Sequence, residues 1–205
     1  EATRCIQCKK PTCRQGCPVI VHIPEFIKSL RDEDMPAAAE ILKSTNNLPA
    51  ICGRVCPQET QCEQVCVLAK KGAPVAIGRL ERYVADWERE HGGSTPQAPL
   101  STGKKVAIVG SGPAGLTAAA DLARFGHQVT MYEALHVAGG VLMYGIPEFR
   151  LPKAVVQSEV DYVRKLGVDI RANSVIGKLI TVDAILAEGY QAVILGTGAG
   201  QPHYQ

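Results

Sequence analysis

The chain has 205 residues, a formal net charge of +2 and 46% hydrophobic residues, enough for one or two domains with a real core. Near-neutral charge, 5% aromatics and the lack of a basic stripe argue against a nucleic-acid binder. No apolar run approaches the roughly 18 residues of a membrane span, and the polar start "EATRCIQCKK" is no signal peptide, so the cytoplasm is the expected place. That start also lacks Met, and the expectation is a piece of a longer protein.

All eight cysteines fall between Cys5 and Cys66, in two blocks: Cys5, Cys8, Cys13, Cys17 and Cys52, Cys56, Cys62, Cys66. Residues 1–20 read as loop. "HIPEFIKSLRDE" opens a helix with Pro24 in its first turn, where a missing N–H costs nothing. "DMPAAAEILKSTN" is a second helix, with Asp34 as its cap and Pro36 in the first turn. "NNLPAICGRVCPQETQCEQVC" reads as loop and turn carrying the second block. "PVAIGRLERYVADWEREHG" is an amphipathic helix whose stripe is Ile77, Leu80, Val84 and Trp87, ended by Gly92-Gly93. Glu81 falls at the flank of that stripe, where the pattern alone favours a solvated edge residue.

Residues 92–103, rich in Gly, Pro, Ser and Thr, predict a linker between domains at 1–91 and 104–205. Beyond it the pattern changes. "KKVAIVGSG" is a buried strand, "PAGLTAAADLARFG" a helix and "HQVTMYE" a second strand. "KAVVQSEVDYVRKLG" is a helix, "VDIRAN" a strand, "TVDAILAEGY" a short helix, and "QAVILGTGAG" a strand running into glycines. Strands alternating with helices predict a parallel sheet covered by helices.

Gly110-x-Gly112-x-x-Gly115 follows the first of these strands and opens an alanine-rich helix. Glu133 ends the next strand, near the spacing that a ribose-binding acid keeps from the glycines. This is the setting of a dinucleotide fingerprint. Gly110 permits the tight turn, Gly112 lets backbone approach a pyrophosphate, and Gly115 lets the helix pack on the strand. The helix N-terminus offers N–H groups to phosphate, with Pro113 and Ala114 in its first turn, and Glu133 would accept from the adenosine ribose. FAD and a nicotinamide nucleotide are not separated by this pattern.

Cys5-x2-Cys8-x4-Cys13-x3-Cys17-Pro18 is close to the ferredoxin run C-x2-C-x2-C-x3-C-P, whose fourth cysteine ligates the other cluster in two-cluster ferredoxins. A disulfide framework suits a small secreted domain rather than the front of this chain. Zinc stays open because Cys5-x2-Cys8 has a legal spacing, but only one such pair exists. A cluster beside a second redox cofactor is the more coherent reading. His22, His91, His127, His136 and His203 are scattered, and none is assigned a role.

Taken together, the cysteine blocks, "NLPAICGRVCPQETQCEQVC", "RLERYVADW", "VGSGPAGL" and "GGVLMYGIPEFRLPK" resemble the small subunit of NADPH-dependent glutamate synthase and its relatives. Those relatives include the large subunit of NADH-dependent ferredoxin:NADP oxidoreductase, the sulfide dehydrogenase flavoprotein and the N-terminal part of dihydropyrimidine dehydrogenase. The resemblance implies an α-helical domain binding two [4Fe–4S] clusters, followed by an α/β Rossmann-type FAD-binding domain that stops before an NADPH domain. It implies Cys5, Cys8, Cys13 and Cys66 for the first cluster, and Cys17, Cys56, Cys62 and Glu81 for the second. Cys52 is left without an iron. For FAD it implies Gly110, Gly112, Pro113, Ala114, Gly115 and Glu133 at the adenosine diphosphate. Gly140, Val141, Gly145 and Arg150 would lie nearer the flavin, Ile176 at the adenine, and Thr197 and Gly198 along the last loop.

The activity so implied is passage of electrons from NADPH through FAD and the clusters to a large catalytic subunit or other partner flavoenzyme, for glutamate synthesis from glutamine and 2-oxoglutarate. A hetero-oligomer is expected for the full-length protein, and the 205-residue chain alone would lack the hydride donor's site. Delivery to ferredoxin or sulfur compounds stays open, as does a non-catalytic zinc or cluster module.

Overall fold

A computed structural model describes residues 1–92 and 99–199. It divides into two units, Glu1–Ser94 and Thr95–Gln205. Half of the expected linker, at 93–98, lies outside the described residues, as do the final glycine of "GTGAG" and His203.

The first unit is helical. Its elements are α1 (Thr12–Gln15), α2 (Ile23–Arg31), α3 (Met35–Lys43), α4 (Pro49–Val55) and α5 (Ile77–His91), with short 3-10 turns at Ala2–Arg4, Gln58–Thr60 and Val67–Lys70. Prolines sit in the first turns of α2, α3 and α4. Asp34 caps α3 by accepting from Ala37 N at 3.1 Å, and Gly92 closes α5 in the left-handed conformation. The core gathers Ile23, Phe26 and Ile27 of α2, Ala38 and Leu42 of α3, and Ile77 and Val84 of α5. Full burial of a side chain such as Phe26 contributes about 1.5–3 kcal/mol.

Three readings of this unit are corrected. Residues 1–20 are not wholly loop, since they hold the 3-10 turn at Ala2–Arg4 and α1. The stretch after Asn46 is not wholly loop: Pro49 starts α4, which packs so closely on α5 that a Cβ at Gly53 would meet Arg82 N at 2.6 Å. Arg54 of α4 clamps Asp86 of α5 through both carboxylate oxygens, at 2.6 and 2.7 Å. The buried face of α5 carries Ile77, Glu81, Val84, Ala85 and Glu88, while Trp87 is only half-buried. Glu81 is therefore no solvated edge residue. Glu88 on the same face pairs with Lys43 of α3 at 2.7 Å, so α3 and α4 both dock on a polar-lined side of α5.

The second unit follows the predicted alternation. It runs β1 (Lys105–Val109), α6 (Pro113–Arg124), β2 (Gln128–Tyr132), α7 (Val141–Tyr144), α8 (Lys153–Lys165), β3 (Asp169–Arg171), α9 (Val182–Ala187) and β4 (Ala192–Leu195). All pairs are parallel, in the order β3-β2-β1-β4, with Val106 opposite both Val129 and Ala192. α6 buries Leu116, Ala119, Ala120 and Ala123. Successive strands move outward from β1 on one side, and β4 returns to the other. The order thus reverses between β1 and β4, and ligands bind outside the carboxyl ends of strands at such a reversal.

Candidate functional site

The reversal point holds a cavity of about 910 Å³, lined from the ends of β1, β2 and β4, the start of α6 and the segments at 140–145 and 174–176. The volume falls in the range of small-molecule and cofactor sites. Gly110, Gly112, Pro113, Ala114, Glu133, Gly140, Val141, Gly145, Ile176, Thr197 and Gly198 all line it. Gly110 has φ +101°, and a Cβ there would collide with Gly196 O, so chain geometry itself demands glycine. Gly112 differs. A Cβ added there meets nothing within 4 Å, so its open side belongs to the cavity rather than to packing. No side chain caps α6 behind it, which leaves N–H groups of the first turn for an anion. This cradle fits a dinucleotide.

Two expected residues stand outside that lining. Gly115 is buried behind it, where a Cβ would collide with Gly110 O, so its task is helix-on-strand contact. Arg150 is exposed in a turn in which its own N–H donates to Pro147 O at 3.0 Å.

The sequence reading passed over Ser111, Tyr132, Leu135 and Tyr144, which also line the cavity. Ser111 is fully buried, and its backbone N–H donates to Glu133 Oε2 at 3.0 Å. Its hydroxyl donates to the same oxygen and accepts from Gly139 N at 2.9 Å. Glu133 Oε1 accepts from Leu135 N at 2.8 Å. The acid at the end of β2 is thereby fastened to the glycine loop, and the loop to the turn at Gly139-Gly140. These three donors occupy most of the roughly four acceptor positions of a carboxylate. Tyr132 is 2% exposed, and burial first, then its contact with Tyr190, pushes its phenol up to about 12.

In the helical unit all eight cysteines are free thiols. Cys5, Cys8, Cys13 and Cys66 line one small cavity with Ile23, Ile27, Val75 and Ile77. Distant segments are stitched together to make it. Arg4 donates to Ala73 O and Pro74 O at 2.5 and 3.0 Å, and Thr12 Oγ1 donates to Val65 O at 2.5 Å. Burial pushes the Cys13 thiol up to about 11, and Cys66, Cys5 and Cys8 add to it.

The remaining cysteines lie around α4 and α5. Cys62 is buried, which raises its thiol to about 12, with Cys17, Glu63 and Glu81 as further contributors. The neighbouring Cys56, and then burial, push the Cys52 thiol up, and Cys52 in turn lowers Cys56 to about 7. A Cβ at Gly16 would meet Val65 Cγ2 at 2.5 Å and Gln61 O at 3.0 Å, so the loop before Cys17 lies directly on the loop that carries Cys62. Glu81 is 8% exposed and accepts from Asn46 Nδ2 at 2.7 Å. Among the described residues no three Cys, His, Asp or Glu side chains are gathered tightly enough to hold a single metal ion. A four-thiol cavity with apolar walls, and a second group of thiols beside a buried carboxylate, are donor sets that fit iron–sulfur clusters.

Comparison with known proteins agrees with both halves. Residues 1–93 match the family described as dihydropyrimidine dehydrogenase domain II, 4Fe-4S cluster. Residues 104–203 match the pyridine nucleotide-disulphide oxidoreductase family. The NAD-dependent dihydropyrimidine dehydrogenase subunit PreT of Escherichia coli O157:H7 is 40% identical over the whole chain, which spans 50% of PreT. The glutamate synthase [NADPH] small chain of Escherichia coli K12 is 39% identical over 98% of this chain and 43% of its own length. The putative oxidoreductase UacF of the same strain is 38% identical over 97% of this chain and 31% of its own. The chain thus spans about half the length, or less, of the curated relatives it matches. Residues 1–93 thus match a 4Fe-4S family and residues 104–203 a pyridine nucleotide-disulphide oxidoreductase family, and over nearly its whole length the chain is similar to the glutamate synthase small chain and to PreT.

Proposed function

We propose that the chain is the electron-transfer portion of a pyridine nucleotide-dependent oxidoreductase, with FAD in the α/β unit, two [4Fe–4S] clusters in the helical unit and NADPH bound elsewhere in the full-length protein. The observation that carries this reading is the open side of Gly112 in a 910 Å³ cavity, in a chain whose other unit groups eight thiols. The chemistry that a bound FAD would supply is the exchange of one hydride, two electrons together, for electrons released one at a time, the form in which iron–sulfur clusters take them.

The chain's own residues supply position. The α6 N-terminus and Gly112 receive the pyrophosphate, Glu133 the ribose, Ile176 the adenine, and Gly140, Val141 and Gly145 flank the flavin. Thr197 and Gly198 close the last side. Cys5, Cys8, Cys13 and Cys66 hold the first cluster; Cys17, Cys56, Cys62 and Glu81 hold the second. Arg150, outside the cavity lining, has no role in this reading.

The electrons go to a partner flavoenzyme. The resemblance favours a glutamate synthase partner, with glutamine and 2-oxoglutarate as substrates. PreT, at 40% identity against 39%, supports a second reading in which the partner reduces a pyrimidine. Purification of the native full-length protein with its partner tests both. Brown colour with a flavin band and NADPH-dependent glutamate formation support the first reading. Activity only with a pyrimidine supports the second. A colourless, zinc-containing protein overturns the proposal.

A further inference from the structure

Asn46 stands between Glu81, the carboxylate read as the last ligand of the second group, and Cys52, the thiol left without an iron. It is 5% exposed, in the turn before α4. Its Nδ2 donates to Glu81 Oε1 at 2.7 Å. Its Oδ1 accepts from Leu48 N at 3.0 Å and from the Cys52 thiol at 3.6 Å. The orientation of this amide is forced. A backbone N–H can only donate, so the end facing Leu48 is the oxygen, and the end facing Glu81 is the NH₂ a carboxylate needs.

One side chain therefore grips a carboxylate from α5 with its donor end and a thiol from α4 with its acceptor end. The packing of these helices is close at Gly53 and held by the Arg54–Asp86 clamp, so neither grip can slide along its helix. Carboxylates that ligate metals are oriented by hydrogen bonds of this kind, and the outer partner matters nearly as much as the ligand.

We infer that Asn46 is a positioning residue for the second cluster: it fixes the Glu81 carboxylate for ligation while giving Cys52 a partner within the protein, so that Glu81 rather than Cys52 completes the set. The inference rests on the reading of Glu81 as a ligand, and the test separates the two.

The test uses the full chain after anaerobic reconstitution with iron and sulfide. Iron content, electron paramagnetic resonance of the reduced protein and midpoint potentials are compared for the unmodified chain, Glu81→Ala, Asn46→Ser and Asn46→Asp. Serine keeps an acceptor for Leu48 N but is too short to reach Glu81. Aspartate keeps the shape and the acceptor but turns an oxygen on the carboxylate. Both Asn46 variants should change the same cluster signal that Glu81→Ala changes, and leave the other signal as it was. Cys52→Ala should be silent alone yet add to the loss in Asn46→Ser, because the freed thiol then takes the open iron. If Glu81→Ala alters neither signal, the ligand reading itself fails. If Glu81→Ala alters one signal and the Asn46 variants do not, the ligand reading stands and the role of Asn46 is overturned. Loss of both clusters together in the Asn46 variants also overturns it, since that is the mark of packing alone.

Discussion

The two units prepare for their cofactors in different materials. The cavity of the α/β unit is shaped by backbone: the turn at Gly110, the open side of Gly112 and the start of α6, with Ser111 and Glu133 tying the loops together. The cysteine groups of the helical unit are made by side chains carried on segments far apart in sequence, joined by contacts such as Thr12 to Val65. A backbone-built cradle is spoiled by adding atoms. A side-chain-built site is spoiled by removing one, and the loss is confined to the group that contained it.

The sharpest break of this contrast is Cys66→Ala. If Cys66 crosses over to complete the first group, this variant loses one cluster of two, and iron falls from about eight to about four atoms per chain. Iron analysis after anaerobic reconstitution reads this directly, and unchanged iron would sink the crossed assignment.

Next in size is Gly112→Val in the backbone cradle. Branched carbons placed where a ligand must approach cost up to about 3 kcal/mol, on the order of 100-fold in affinity. Because no protein atom lies within 4 Å of the added Cβ, the thermal midpoint should stay near that of the unmodified chain while FAD affinity drops. An equal fall in both would mean that Gly112 serves packing.

Ser111→Ala tests the ties rather than the cradle. It deletes the hydroxyl that links Glu133 to Gly139 but keeps the Ser111 N–H bond to the acid. A net loss of about 1 kcal/mol is expected, roughly fivefold in FAD affinity by fluorescence titration. No change would mean that the 139–140 turn is held by its other contacts.

The smallest effect expected is Cys52→Ala, which should leave iron content and both cluster signals unchanged. A loss of about four irons there would exchange the roles of Cys52 and Glu81.

Much of the α/β unit was legible because its signals are local. A buried strand, glycines at fixed offsets and an acid ending the next strand are all readable within one strand–helix–strand unit, and the parallel four-stranded sheet follows the predicted alternation. Asp34 as cap of α3 and Gly92 as the end of α5 were legible for the same reason. The helical unit was read less well where tertiary contact outweighed pattern. α4 was missed because its seven residues are too few for a periodic signal, although Pro49 at its start was a cue. Glu81 looked solvated because an apolar stripe of Ile77, Leu80, Val84 and Trp87 describes one helix in isolation. The partners of α5 instead turned its Glu81 and Glu88 inward, where Asn46 and Lys43 meet them.

By itself the amino-acid sequence determined which residue types are available and which neighbours along the chain they have: the cysteine blocks, the glycine fingerprint, the strand and helix periods. Only the tertiary structure decided that Cys66 joins Cys5, Cys8 and Cys13 around one cavity, that Arg150 lies outside the nucleotide cavity, and that Asn46 reaches Glu81 on a distant helix. The physical reason is range. Backbone conformation and amphipathic period are set within a few residues, whereas a buried polar group takes its partner from whichever distant segment packing brings against it.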